Sequence, residues 1–167
     1  TVQALKDLGV DVWLLSGDRA ESVQQVAEQV GIEHALGMCA PQDKLSRMQA
    51  AQAQGARVAM VGDGLNDGPV LAGAHVSMAF GNAVPLAQSK SDLVLMGEHL
   101  LVVAQSVQLA RHTLRVVRQN LAWAAVYNAL CVPLAVAGWL PAWLAGLGMA
   151  LSSLWVVLNA LRLTRGF

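Results

Sequence analysis

From residue 119 to residue 161 the chain contains no Asp, Glu, Lys, Arg or His, and this gap constrains the fold more than any other feature. About 20 apolar residues cross a hydrocarbon core of roughly 30 Å, so the stretch predicts two membrane helices, 121–140 and 142–161, turning at Pro141. Arg111, Arg115 and Arg118 precede the first span, and Arg162 and Arg165 follow the second. An even number of spans puts both basic flanks on one side, and the positive-inside rule makes that side cytoplasmic. Trp139 and Trp143 bracket the turn, where an aromatic belt would meet the far interface. A buried soluble hairpin is the weaker reading, because soluble helices of this length normally keep a charged face.

Charge divides the chain at the same place. Residues 1–99 carry eleven acidic and six basic residues, a formal −5, whereas residues 100–167 carry five arginines and no acid. The expected organisation is therefore a soluble part, 1–99, a basic connecting helix, 100–120, two membrane helices within 121–163, and a cytoplasmic tail, 164–167. The three arginines before the first span fall on one face of a helix expected to continue into that span and to skim the lipid headgroups. So short a patch beside a membrane span argues against nucleic-acid binding. The opening residues have neither a basic region nor a long apolar core, so no signal peptide is expected. They also lack an initiator Met, and the chain reads as a piece of a longer one. Cys39 and Cys131 fall one in each half and make neither a disulfide framework nor a metal site. His34, His75, His99 and His112 are scattered and read as surface residues.

The soluble part alternates strand and helix signals. A helix over 2–8 stops at Gly9, and 10–15 (VDVWLL) is a strand ending at Ser16-Gly17-Asp18. Helical spacing over 20–30 closes at Gly31, and a second helix runs from Pro41 through Ala53. A strand over 57–61 follows, then a helix starting at Asp67 and Pro69, then strands over 75–80 and 92–96. Such alternation predicts an α/β domain, a Rossmann-type parallel sheet with helices on both faces. Its chemistry would sit outside the carboxyl ends of the strands. Ser16-Gly17-Asp18 and the loop 62–67 then share one edge.

That second loop, Gly62-Asp63-Gly64-Leu65-Asn66-Asp67, has the composition of a phosphate and cation site. Its glycines let the backbone turn and expose N–H groups, and Asp63 offers a hard oxygen suited to Mg²⁺. Asp67 can reach the same ion or pair with an ammonium, for which Lys44 is the candidate. Ser16 offers a hydroxyl and a backbone N–H to a phosphoryl oxygen.

Ser16-Gly17-Asp18, Pro41-Gln42-Asp43-Lys44 and Gly62-Asp63-Gly64-Leu65-Asn66-Asp67-Gly68-Pro69 resemble three successive motifs of the P-type ATPases, members of the haloacid dehalogenase superfamily. Ser16 stands where that family usually has Thr, and Gly68 where it usually has Ala. The resemblance implies that Asp63, with Asp67, holds the catalytic Mg²⁺, that Asn66 and Asp67 support the site, and that Lys44 contacts the aspartyl phosphate formed from ATP. In the family the acceptor is the Asp of Asp-Lys-Thr-Gly-Thr. No such sequence occurs here, and neither Asp11 nor Asp18 has that context. The acceptor, the nucleotide-binding domain, the Thr-Gly-Glu loop and the earlier membrane helices are expected upstream, and this polypeptide alone is expected to hydrolyse no ATP.

Polar side chains inside membrane helices are costly and are candidate functional groups. The first span offers Tyr127 and Asn128, and the second Met149, Ser152 and Ser153 on one face. A thioether beside neutral oxygens suits Cu(I), whereas Ca²⁺, Mg²⁺ or Zn²⁺ sites usually recruit carboxylates. Tyr127-Asn128 and Met149-x-x-Ser152-Ser153 resemble the last two membrane motifs of copper-transporting heavy-metal ATPases. Zinc-exporting relatives carry a Lys and an Asp in these helices, and this chain has neither. The resemblance implies that Tyr127, Asn128, Met149 and Ser152 contribute to the transported-copper site, with thiolates of a Cys-Pro-Cys on an earlier helix. It further implies a copper chaperone as donor, a multi-pass place in a bacterial plasma membrane, and a helix over 100–120 that carries domain rotation to the ion site. Two alternatives are another heavy-metal P-type ATPase and a catalytically silent, membrane-tethered regulatory domain.

Overall fold

The computed structural model describes residues 1–62, 67–97 and 99–165, which form two compact units, Thr1–Gln105 and Ser106–Phe167. In the first unit the order is α1 (Val2–Asp7), β1 (Trp13–Leu15), α2 (Ala20–Val30), β2 (His34–Leu36), α3 (Pro41–Ala53), β3 (Ala59–Val61), α4 (Gly68–Gly73), β4 (Val76–Phe80), α5 (Pro85–Lys90) and β5 (Leu93–Leu95). The alternation is the expected α/β pattern.

Helix boundaries follow local chemistry. Val23 and Ala27 turn one face of α2 inward, and Gly31 closes it at φ 74° with the Ile32 N–H on Ala27 O at 2.8 Å. Pro41 opens α3 at a position needing no N–H donor, and the Asp43 carboxylate accepts the Ala40 N–H at 2.9 Å.

The strands pair in parallel, but in two separate sheets. β1 pairs with β2, Leu15 opposite Leu36, and the second sheet has the order β3-β4-β5, with Val61 opposite Met78 and Phe80 opposite Leu95. A single sheet was expected. Among the described residues β1 and β3 do not bond to each other, and each has one strand partner. β2 was not anticipated, because His34-Ala35-Leu36 is too short to show a period. It is held from outside: Trp13 stacks on His34 at 4.6 Å, so this histidine is part of a strand pair.

Side chains of the three-stranded sheet alternate between its faces. Ala79 packs with Leu71, Ala83 and Ala87, while Met78 packs with Leu95 and Val103. The β4–β5 join is reinforced at buried Ser77, whose N–H and hydroxyl both donate to Asp92 Oδ2 at 2.8 Å.

The second unit is helical. Helix α6 (Leu101–Val136) begins in the first unit and is continuous through the predicted connector, so 100–120 and the first predicted span form one helix. It ends at Val136 rather than 140, because Gly138 takes φ 74° and the Trp139 N–H turns back to Leu134 O. Helix α7 (Ala142–Leu161) has the expected bounds, with Pro141 at its N-cap, and a 3-10 turn, Arg162–Arg165, follows. Contacts Asn120–Asn159, Trp123–Ser152 and Tyr127–Gly148 run in opposite directions along α6 and α7, which makes them an antiparallel hairpin.

Among the described residues one helical segment, Ala142–Thr164, is long and apolar enough to cross a membrane, with mean hydropathy 1.8. Only 6% of its most apolar window is buried, unlike the core helix of a soluble protein. The apolar half of α6 is diluted by Gln119, Asn120 and Asn128 and stops early.

Candidate functional site at the carboxyl edge of the first unit

Helices α3 and α4 pack side by side, with Met48 of α3 buried and its Cε 2.8 Å from where a Cβ on Gly73 would stand. This contact sets the first turn of α3 beside the N-cap of α4. Lys44 and Asp67 occupy those two places, and the Lys44 ammonium donates to Asp67 Oδ1 at 2.9 Å. Their side chains are 14% and 11% exposed. Two charges so far out of water are tolerated because each supplies the other's counter-charge. Gly62 makes room for the carboxylate, since a Cβ there would lie 3.0 Å from Asp67 Cβ and 3.1 Å from its Oδ2.

The Ser16 loop is built differently. Ser16 Oγ donates to Asp18 Oδ2 at 2.7 Å and accepts the Asp18 N–H at 3.2 Å, closing a tight turn after β1. Two backbone bonds tie it to the loop after β2: Met38 N–H to Asp18 O at 2.6 Å and Cys39 N–H to Ser16 O at 2.9 Å. That loop leads directly into α3, so the Ser16-Gly17-Asp18 turn is anchored to the segment that carries Lys44. Met38 is held at φ 54°, a conformation non-glycine residues seldom adopt. Gly37 admits no side chain, because a Cβ would come within 2.5 Å of Ala20 Cα. Neither Gly37 nor Met38 stood out in the sequence, where no motif marks them.

The structure thus joins Lys44 to Asp67 and fixes Ser16, Gly17 and Asp18 in one turn. Asp63 and Asn66 lie outside the described residues. Among the described residues no three His, Cys, Asp or Glu side chains cluster as a metal site.

In the second unit the less exposed positions Asn120, Ala124, Tyr127 and Cys131 of α6 face Ala145, Gly148, Ser152 and Asn159 of α7. The Tyr127 hydroxyl lies 2.8 Å from where a Cβ on Gly148 would stand. Ser152 Oγ accepts the Trp123 indole N–H at 3.0 Å, and Trp123 packs on Trp155 at 5.9 Å. Buried Asn159 donates to Asn120 Oδ1 at 2.8 Å and accepts from Arg162 at 3.3 Å. Tyr127 and Ser152 therefore lie in the seam. Asn128, whose amide donates to Ala124 O, and Met149, 67% exposed, point away from it. The four residues are not gathered into one cluster within the hairpin. Trp123 and Asn159 were not anticipated; their indole and amide in an apolar stretch were the available signal.

Comparison with known proteins gives this arrangement a context. The family model for haloacid dehalogenase-like hydrolases matches residues 1–75. The copper-exporting P-type ATPase of Staphylococcus epidermidis is 41% identical over 164 residues, which is 98% of this chain and 21% of that protein. The protein of the same description from Staphylococcus aureus strain Newman is 40% identical over 164 residues, again 98% of this chain and 20% of that protein. Among solved structures, a zinc-transporting PIB-type ATPase superposes with TM-score 0.87 at 31% identity, covering 97% of this chain and 26% of that one. The catalytic domain of the CPx-ATPase CopB-B matches at TM-score 0.54 and 33% identity, over 56% of this chain and 37% of that one. The chain is homologous to copper-exporting and PIB-type P-type ATPases along nearly its whole length, and spans about a fifth of the curated relatives it matches.

Proposed function

We propose that this chain is the carboxy-terminal part of an ATP-driven copper(I) pump that works through an aspartyl-phosphate intermediate. The observation that carries the reading is the shielded Lys44–Asp67 pair, which lies beyond the carboxyl end of β3 in a chain 41% identical to copper exporters.

In the complete protein the γ-phosphoryl group of ATP passes to an upstream Asp carboxylate, ADP leaves, and water later cleaves the acyl phosphate. Little covalent chemistry is asked of this chain; it positions charge. Lys44, held by Asp67, presents an ammonium to the phosphoryl oxygens; Ser16, whose N–H is held by Leu36 O rather than open to a ligand, would turn its hydroxyl from Asp18 to another oxygen in the turn it shares with Gly17. Mg²⁺, when bound, would neutralise phosphoryl charge, with Asp63 as its ligand and Asp67, whose Oδ2 is not engaged by Lys44, beside it. The separation of β1 from β3 supports an upstream strand, since each has an edge able to take another parallel neighbour.

The hairpin of α6 and α7 would carry part of the ion path, with both arms spanning the membrane and their Arg-flanked ends in the cytoplasm. Tyr127 and Ser152 would line it from the seam, and Asn128 and Met149 would meet helices supplied upstream. Copper is favoured over zinc because residues 119–161 contain no ionisable carboxylate, amine or imidazole. The zinc-transporting structural neighbour supports a heavy-metal pump of other selectivity as the second reading.

The test is Met149→Ala in the complete protein. Cu(I)-dependent phosphorylation by ATP should fall while phosphorylation by inorganic phosphate persists. Undiminished Cu(I) dependence would overturn the copper assignment, and equal loss of both activities would mark a folding defect instead.

A further inference from the structure

At one end of the hairpin an open groove of about 600 Å³ runs along α6, lined by Arg111, Leu114, Arg115, Arg118, Gln119 and Ala122. The three arginines sit at spacings of four and three, so they share one helix face. Residues 100–167 contain no Asp or Glu, and no ion pair to Arg115 or Arg118 occurs among the described residues. Arg162 stands at the same end, because its guanidinium donates to Asn159, which is bonded to Asn120. A recess of about 150 Å³ beside it is lined by Trp155, Leu158, Asn159 and Arg162. Beyond the arginines, after the exposed Gln119, the side chains turn apolar, with Leu121 66% exposed. Four residues of helix, about 6 Å, separate Arg118 from Ala122. That is close to the step from a lipid phosphate to the start of its acyl chains.

We infer that this groove binds the headgroup phosphate of an anionic phospholipid, with Arg115 and Arg118 as the principal contacts and the acyl chains over Leu121 and Ala122. A guanidinium pair presents the fork of donors that matches phosphate oxygens. The apolar flank selects a lipid over a soluble anion or an acidic peptide. The inference rests on the hairpin lying in a membrane.

The test uses the complete protein purified in mild detergent, followed by native mass spectrometry with added phosphatidylglycerol or phosphatidylcholine. The unaltered protein should retain phosphatidylglycerol in preference to phosphatidylcholine. Arg115→Gln with Arg118→Gln should weaken phosphatidylglycerol retention about fivefold for each arginine removed, and Arg115→Lys with Arg118→Lys should restore only part of it, the charge without the fork. Equal retention of both lipids by the unaltered protein, or unchanged retention by the glutamine variant, would overturn the site. Displacement of phosphatidylglycerol by inorganic phosphate would also overturn it, assigning the groove to a soluble anion. Failure of the protein to enter vesicles of pure phosphatidylcholine would refute the membrane reading itself, an outcome separate from loss of headgroup preference.

Discussion

The Lys44 ammonium and the Asp67 carboxylate, 23 residues apart in sequence, meet at 2.9 Å with 14% and 11% of their side chains exposed. Each supplies the counter-charge that water would otherwise provide.

Removing one partner should therefore cost more than removing both. Lys44→Met leaves a shielded carboxylate without its cation and should destabilise the first unit by about 3 kcal/mol. Lys44→Met with Asp67→Leu should recover part of that loss. Urea titration of the single and double variants measures the coupling, and strictly additive losses would mean that the pair is not interacting. Phosphorylation in the complete protein should be lost in every variant that lacks Lys44.

The glycines near this pair should differ sharply in tolerance. Gly62→Ala puts a Cβ 3.0 Å from Asp67 Cβ, so it should push the carboxylate off Lys44 and lower both stability and phosphorylation. Gly68→Ala meets nothing nearer than Leu86 Cδ2 at 3.9 Å, and it sits at the start of α4. It should be neutral or stabilise by up to about 1 kcal/mol, since Ala is the better helix former. Thermal melts of the two variants compare them directly.

Acid should loosen the β4–β5 join. Hydrogen bonds from the Ser77 N–H and hydroxyl hold the Asp92 carboxyl below its ordinary value of 3.8. A carboxylate so lowered stabilises the fold above its unfolded value, and the contribution disappears as pH falls from about 3.8 through the lowered one. Asp92→Asn should therefore destabilise at pH 7 and converge with the unaltered protein in strong acid. Stability curves that stay parallel down to about pH 2 would count against this linkage.

Within the hairpin, Trp123→Phe keeps an aromatic ring against Trp155 but removes the donor to Ser152. If Ser152 faces the ion path, freeing its hydroxyl should raise the Cu(I) concentration needed for half-maximal phosphorylation severalfold, with phosphorylation by inorganic phosphate unchanged. No change in copper dependence would reduce the bond to a packing contact.

Much of this was legible in order. The bounds of α2, α3 and α7 followed from Gly31, Pro41 and Pro141, residues whose backbone limits act wherever the chain goes. The pairing of Lys44 with Asp67 was named as a candidate from charge and position alone. β2 was not legible, because three residues cannot express a period and its stability comes from Trp13 and Leu15 across the sheet. The early end of α6 was legible but overlooked, since Gly138 is a stop of the same kind as Gly31. Gly138 in the left-handed region decided it.

The sequence by itself determined the alternation of strands and helices, the unionised stretch and the side-chain chemistry of the two motif loops, since these depend on residue type and spacing. Tertiary structure alone decided that the strands form two sheets, that Ser16 is tied to the approach to Lys44, and that Tyr127 and Ser152 share a seam from which Asn128 and Met149 turn away. Those facts depend on which surfaces touch. Contact between distant residues is set by the packing of whole elements, a property that no local pattern carries.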